Sequence, residues 1–208
     1  MEKQEIRTFG RRHGKKLSQR KEYLIERVLP QIAPITDAKI LEIGFGAGEH
    51  VRELALSNPG DIIIGAEPFM NGVASLMSAI TDEKTNEILP EYKNIRIFAD
   101  DVRIMLKNPD FKFNQIWILH PDPWPKAKHE KRRLLQAEFL TLLAGRVEKN
   151  GKIIIGTDHW EYYEWICAQI PKTPLRIGAT DLDTIKTRYQ TKNMAGTDAP
   201  KYLILQNR

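Results

Sequence analysis

Two stretches of this chain hold residue types at spacings that can do chemistry. In the first, Leu41-Glu42-Ile43-Gly44-Phe45-Gly46-Ala47-Gly48-Glu49 sets a glycine-rich turn between an apolar run and an amphipathic one. Gly44 and Gly46 permit backbone angles and a close ligand approach that side chains would block, and a helix start presents unpaired N–H groups. A dinucleotide-binding turn would carry its third glycine at position 49, where Glu49 instead places a negative charge. Glu42 and Glu49 therefore suit a ligand that is cationic or carries hydroxyl and ammonium donors. Glu67 closes the next apolar run, 23 residues after Gly44, and could accept both hydroxyls of a ribose. Without the glycine turn it would read as a capping or surface acid. Asp101, after a third apolar run, could receive an adenine amino group or cap the following helix, and the two readings are compatible.

The second stretch is His120-Pro121-Asp122-Pro123-Trp124-Pro125-Lys126. Its three prolines fix φ and remove backbone donors, so the loop is rigid and its carbonyls are left to accept hydrogen bonds. Lys126-Ala127-Lys128-His129-Glu130-Lys131-Arg132-Arg133 follows directly, and basic side chains beside a carboxylate would bring nucleic-acid phosphates next to the chemistry. Trp124 could stack on a base or pack into the core. Cys167 is the only cysteine, which excludes an internal disulfide and a thiolate metal cluster, and His13, His50, His120, His129 and His159 show no ligand-like pairing. No metal site is expected.

The elements that position these stretches follow from periodicity. Apolar runs at Lys39–Ile43, Ile62–Gly65, Ile95–Phe98, Gln115–Leu119 and Lys152–Gly156 read as strands. Helical spacing covers Leu17–Leu29 (stopping at Pro30), Gly48–Ser57, Asn71–Ile80, Val102–Lys107, His129–Gly145 and Tyr162–Ile170. This alternation predicts an α/β fold: a doubly wound, mostly parallel seven-stranded sheet with helices on both faces. Pro171–Thr180 reads as a connector, after which Ile185–Thr191 and Tyr202–Leu205 could pair as an antiparallel edge. The expected organisation is a flexible basic arm over 1–16, loose from Arg7 to Arg20 in the unbound protein, and a single domain over 17–208.

At 208 residues and 41% hydrophobic content the chain can bury a full core without staples. Its net charge of +5 is unevenly spread: Met1–Lys21 carries +6 and Lys126–Arg133 +4, leaving a body of −5. Each basic segment alone reads as well as a solvated face as a binding surface, whereas their joint excess over an acidic body points to a polyanion. The apolar runs are far short of the ~20 residues of a membrane span, and no signal-peptide pattern opens the chain. A reducing cytoplasm fits.

The first stretch resembles motif I of class I S-adenosylmethionine-dependent methyltransferases. Pro121-Asp122-Pro123-Trp124-Pro125-Lys126, with His129 and Lys131-Arg132-Arg133, closely resembles the signature of the bacterial tRNA (guanine-N7-)-methyltransferases. The resemblance runs from about Leu41 to Tyr189. It implies the Rossmann-like methyltransferase fold, S-adenosylmethionine as cofactor, tRNA as partner, and transfer to N7 of a guanosine in the variable loop. It further implies that Glu42, Gly44, Gly46, Glu67, Asp101 and Asp122 line the donor site, with Asp122 at the catalytic centre. Lys126, Asp158 and Thr187-Arg188-Tyr189-Gln190 are implied to contact the guanosine or its tRNA, and Lys128, His129, Lys131, Arg132 and Arg133 to meet the RNA.

Gln190 stands where the family carries Glu, which removes a charge from that contact. His120 replaces a frequent aromatic and reads best as a packing histidine. Guanine N7 carries a lone pair and no proton, so transfer demands positioning more than a base, and Asp122 is expected to orient rather than to abstract a proton. The target base must be splayed out to be reached, with Trp124 or Tyr189 available to stack on it. The rivals are a methyltransferase with another target, disfavoured for small substrates by the basic loop, and an RNA-binding protein with an inactive nucleotide fold, disfavoured by the acids at 42, 67, 101 and 122. The pattern leaves monomer and homodimer equally open.

Overall fold

The structure is a computed structural model in which residues 9, 10, 12, 14–178 and 201–208 are described. The chain packs as two compact units that divide between Phe111 and Lys112. The first contains strands β1 (Ile40–Ile43), β2 (Ile63–Ala66) and β3 (Ile95–Phe98), and the second β4 (Phe113–Leu119), β5 (Val147–Thr157), β6 (Leu175–Ile177) and β7 (Lys201–Asn207). They form a seven-stranded sheet in the order β3-β2-β1-β4-β5-β7-β6. The α/β, mostly parallel architecture expected from the alternating pattern is the one observed.

In the first unit β1 and β2 run parallel from Ile40↔Ile63 to Ile43↔Ala66, and β2 and β3 from Ile63↔Ile95 to Ala66↔Phe98. Every residue of β1 and β2 is buried, including Glu42, which explains runs too apolar to alternate. Three helices return the chain: α2 (Glu49–Ser57), α3 (Met70–Ile80) and α4 (Val102–Met105), preceded by α1 (Gln19–Tyr23). Gly48, the N-cap of α2, has φ +80°, and a Cβ there would lie 2.6 Å from Leu76 Cδ1 on α3. A Cβ on Gly72 would fall 2.4 Å from the carbonyl oxygen of Gly46. The glycine turn and α3 are thus packed backbone to backbone, a closeness only Gly72 allows.

The N-terminal helix differs from the single amphipathic segment expected over Leu17–Leu29. Ser18 caps α1, but Leu24–Val28 widens into a π-helical turn and Leu29–Ile32 tightens into a 3-10 turn. Pro30 sits in the first turn of that last piece, where its missing N–H costs nothing, so it does not end the helix. Leu24, Val28 and Ile32 all stay buried through the changes of pitch. The basic arm, expected to be loose from Arg7 to Arg20, is tied down where it is described. Gly14 N–H donates to Asn71 Oδ1 (2.7 Å), Asn71 Nδ2 donates to Lys15 O (2.7 Å) and Met70 N–H donates to Arg12 O (3.0 Å). The Arg20 guanidinium donates to Thr81 Oγ1 (2.9 Å) and Asn86 Oδ1 (3.1 Å).

In the second unit β4 and β5 are parallel, with Gln115↔Lys152 through Leu119↔Gly156 in register, and β7 is antiparallel to both β5 and β6. β6 forms within the stretch expected to be a connector; Ile185–Thr191, expected to pair with the last strand, lies outside the described residues. The helix expected over His129–Gly145 is broken in two, a 3-10 segment Ala127–Arg132 and α5 (Ala137–Ala144), with Arg133 extended between them (φ −60°, ψ 132°). α6 (Trp160–Gln169) begins at a cap made by His159, whose Nδ1 accepts from Tyr162 N–H at 3.4 Å. Among the described residues no helix is long and apolar enough to cross a membrane.

Gly72→Ala is expected to destabilise the protein by ~1–3 kcal/mol, the usual cost of forcing a methyl into a filled space. Thermal unfolding checks this: the midpoint should fall by roughly 2–4 °C per kcal/mol of destabilisation, and an unchanged midpoint would show that the turn and α3 can part freely.

Candidate active site

The carboxyl ends of the first unit's strands carry a set of acids around the glycine turn. Gly44 and Gly46 have φ of +76° and +57°, and a Cβ at either would meet nothing within 4 Å. Their backbone is therefore an uncovered ledge whose shape, rather than its crowding, demands glycine. Glu67 braces that ledge from beneath: Gly46 N–H donates to one carboxylate oxygen (2.8 Å) and Phe69 N–H to the other (2.8 Å). Only 8% of Glu67 is exposed. Each carboxylate oxygen can accept more than one hydrogen bond, so bracing the turn is compatible with accepting from a ribose.

Glu42 is 3% exposed and takes a hydrogen bond from His50 Nδ1 on α2 at 3.0 Å. His50, which sequence reasoning did not connect to the site, is thus part of it; its place eight residues on, in the first turn of the helix after the glycines, was the available signal. Of the two roles left open for Asp101, the structure shows the helix cap. Its Oδ1 accepts from Arg103 N–H (3.0 Å) and Nε (2.9 Å), and its Oδ2 from Arg103 Nη2 (2.6 Å). Those bonds hold the Arg103 guanidinium above its ordinary pKa. The neighbouring Asp100 has a side chain 39% exposed and pairs with Arg12 of the basic arm. Asp100 is the more available carboxylate at the end of β3.

The second unit builds its site on the end of β4. His120 and Trp124 bracket the proline loop with φ of +49° and +43°, angles that cost non-glycine residues roughly 1–2 kcal/mol each. His120 N–H donates to Gly156 O (2.7 Å), and its Nδ1 lies 3.6 Å from Asp158 Oδ1, so the expected packing histidine also ties the loop to the end of β5. Asp122 is exposed within this frame. Trp124 is half-buried; the Arg132 guanidinium stands 5.0 Å from its ring centre and His129 meets it edge-on at 5.8 Å. Desolvation, reinforced by Arg132, Lys128, Lys126 and Lys131, holds His129 below its ordinary pKa. Lys126, Lys128 and Lys131 are exposed, as a phosphate-facing set must be, whereas Arg133 is 5% exposed. Thr187, Arg188, Tyr189 and Gln190 lie outside the described residues.

Comparison with known proteins decides the family. A family of putative methyltransferases matches residues 36–195. A tRNA (guanine-N(7)-)-methyltransferase of Caulobacter vibrioides (strain NA1000 / CB15N) is 35% identical over 95% of this chain and 93% of its own length. One of Neorickettsia sennetsu (strain ATCC VR-367 / Miyayama) is 32% identical over 91% and 86%. The chain belongs to the tRNA (guanine-N(7)-)-methyltransferase family. Among solved structures, an antibiotic-related methyltransferase matches with TM-score 0.57 at 16% identity, covering 93% of this chain and 97% of its own. A precorrin-6y C5,15-methyltransferase of Geobacter metallireducens GS-15 matches with TM-score 0.55 at 15% identity, covering 93% and 90%. These two show the shared methyltransferase fold.

The family's methyl donor is S-adenosylmethionine. The first unit's residues fit it: an uncovered backbone ledge lies beside buried carboxylates that suit an ammonium group, ribose hydroxyls and an adenine amino group. Glu67→Gln tests the fit, because glutamine keeps one accepting oxygen and puts a donor N–H₂ against either the Gly46 or the Phe69 N–H. Calorimetric affinity for S-adenosylhomocysteine should fall by about tenfold or more, the effect of losing ~1.4 kcal/mol; undiminished affinity would remove Glu67 from the donor site.

Proposed function

We propose that this chain transfers the methyl group of S-adenosylmethionine to N7 of a guanosine in the variable loop of tRNA. The observation that carries the reading is the second unit's loop: an exposed carboxylate, Asp122, on a proline-stiffened turn that runs straight into exposed Lys126, Lys128 and Lys131. Full-length relatives named for this activity support it. When bound, the donor supplies an electrophilic methyl: the N7 lone pair forms the new N–C bond while the S–C bond breaks with its electron pair leaving on sulfur.

The chain's own residues then have positioning tasks. Glu42, Glu67 and Asp100 hold the donor's polar groups, with Asp101 shaping the wall by capping α4. Gly44 and Gly46 supply the ledge on which the donor lies. Asp122 orients the base and faces the positive charge that appears on the purine as N7 is alkylated; a carboxylate fixed beside developing positive charge favours the transition state over the ground state. The lysines give affinity through phosphates without reading sequence, which suits a target presented by the shape of a folded RNA. Asp158, Thr187, Arg188, Tyr189 and Gln190 are the further guanosine contacts that the family resemblance implies, and the enzyme works in the cytoplasm, where tRNA is found. Residues 17–208 act as one functional domain, with 1–16 as a basic arm beside it.

Incubation with bulk tRNA and labelled S-adenosylmethionine, followed by digestion to nucleosides, should place the label in 7-methylguanosine. Label in another nucleoside would change the target, and no label would leave an RNA-binding protein. Asp122→Ala should lower transfer by about 10²-fold or more, the scale for losing one fixed charge-stabilising group, with tRNA retention nearly unchanged. Lys128→Ala with Lys131→Ala should weaken tRNA binding and flatten its log–log salt slope by ~0.7–0.9 for each phosphate no longer neutralised. Equal loss of binding in both variants would refute this division of labour.

A further inference from the structure

Arg133 closes the basic string that resembles an RNA-contacting stretch, yet its side chain is only 4% exposed. Its guanidinium is committed inward. Nε donates to the carbonyl of Pro123 at 2.9 Å and Nη2 reaches the carbonyl of Trp124 at 3.4 Å. The flat face of the group lies 4.9 Å from the Trp165 ring centre and 5.5 Å from that of Tyr162, both on α6. Burial holds the Tyr162 phenol well above its ordinary pKa, so the ring under Arg133 stays neutral. The carboxylate nearest the cation, Glu130 at 3.5 Å, is itself half exposed.

The chemistry of the loop explains why a guanidinium stands here. Pro121, Pro123 and Pro125 contribute no N–H, so the loop has three fewer backbone donors to offer its own carbonyls. Its bend also depends on His120 and Trp124 holding positive φ, which persists only where surrounding groups over-determine it. A planar fork can bridge two successive carbonyls while stacking on aromatic rings, and an ammonium group cannot. Arg133 also leaves helical geometry (ψ 132°), and this separates the 3-10 segment Ala127–Arg132 from α5.

We propose that Arg133 is a positioning residue: it locks the Pro121–Lys126 loop in the bend that presents Asp122, and it makes no phosphate contact. The inference rests on the proposed methyl transfer and assigns the last arginine of the basic string to the interior of the site.

The test compares wild type, Arg133→Lys and Trp165→Leu for steady-state methylation of tRNA and for tRNA binding across a salt series. Arg133→Lys keeps the charge and loses the fork, so kcat should fall by about 10²-fold, the cost of misplacing a reacting group by an ångström. The tRNA dissociation constant and its salt slope should stay at the wild-type values. Trp165→Leu loosens the seat of the guanidinium without altering any charge and should lower kcat in the same direction by a smaller factor, which keeps the test decisive if Arg133→Lys does not fold. A salt slope reduced by ~0.7–0.9 in Arg133→Lys with kcat retained would make Arg133 a phosphate ligand and overturn the proposal. Wild-type kcat in both variants, or in Trp165→Leu alone if Arg133→Lys does not fold, would overturn it as well. Failure of the wild type to form 7-methylguanosine would instead sink the activity on which it rests.

Discussion

A backbone group without a partner is costly wherever water is excluded, and the glycine turn of the first unit and the proline loop of the second are each shaped by an answer to that demand. Beyond the end of β1 the chain turns so sharply that the Gly46 N–H leaves the strand ladder. Glu67 answers with a carboxylate, one oxygen for Gly46 and one for Phe69. This single side chain joins the turn after β1 to the turn after β2, so the ledge keeps its shape without being covered. The packing of Gly72 against Gly46 fixes the same turn from the other side.

The proline loop poses the opposite problem. Its backbone is rich in acceptors and poor in donors, and Arg133 answers with a cation. The two solutions are mirror images: an anion serves backbone donors, a guanidinium serves backbone acceptors. Both charges are committed to the main chain, and both are buried for the same reason, since a charge that organises main chain must sit behind the surface it shapes. Around the proline loop Asp122 and the lysines at 126, 128 and 131 remain exposed.

Much of this was legible in the residues. The apolar runs marked six of the seven strands, because strands buried on both faces leave few other readings. The glycines at 44 and 46 announced a positive-φ turn and have one, and Gly48, read as the first helical residue, is instead a left-handed cap. The acids at 42 and 67 and the proline loop were read as site elements from spacing and chemistry alone. What stayed hidden is long-range. Leu175–Ile177 is too short and too close to Pro174 to declare itself a strand, and becomes β6 only through its pairing with β7. The break between the 3-10 segment and α5 is invisible in a helical pattern that runs on through it; Arg133 stands extended at the break with its side chain bonded to the carbonyls of Pro123 and Trp124.

The amino-acid sequence by itself determined the fold class, the place of the glycine ledge and the loop that carries Asp122, because periodicity, glycine and proline act within a few residues along the chain. Tertiary structure decided which charge does what. Asp100 and Asp101 are neighbours of identical chemistry, yet Arg103 claims one and leaves the other for Arg12. Arg132 and Arg133 are equally adjacent, yet one lies over Trp124 near the surface and the other beneath it among Tyr162 and Trp165. A side chain's role depends on its burial and on which distant groups it meets, and those are properties of the packed chain.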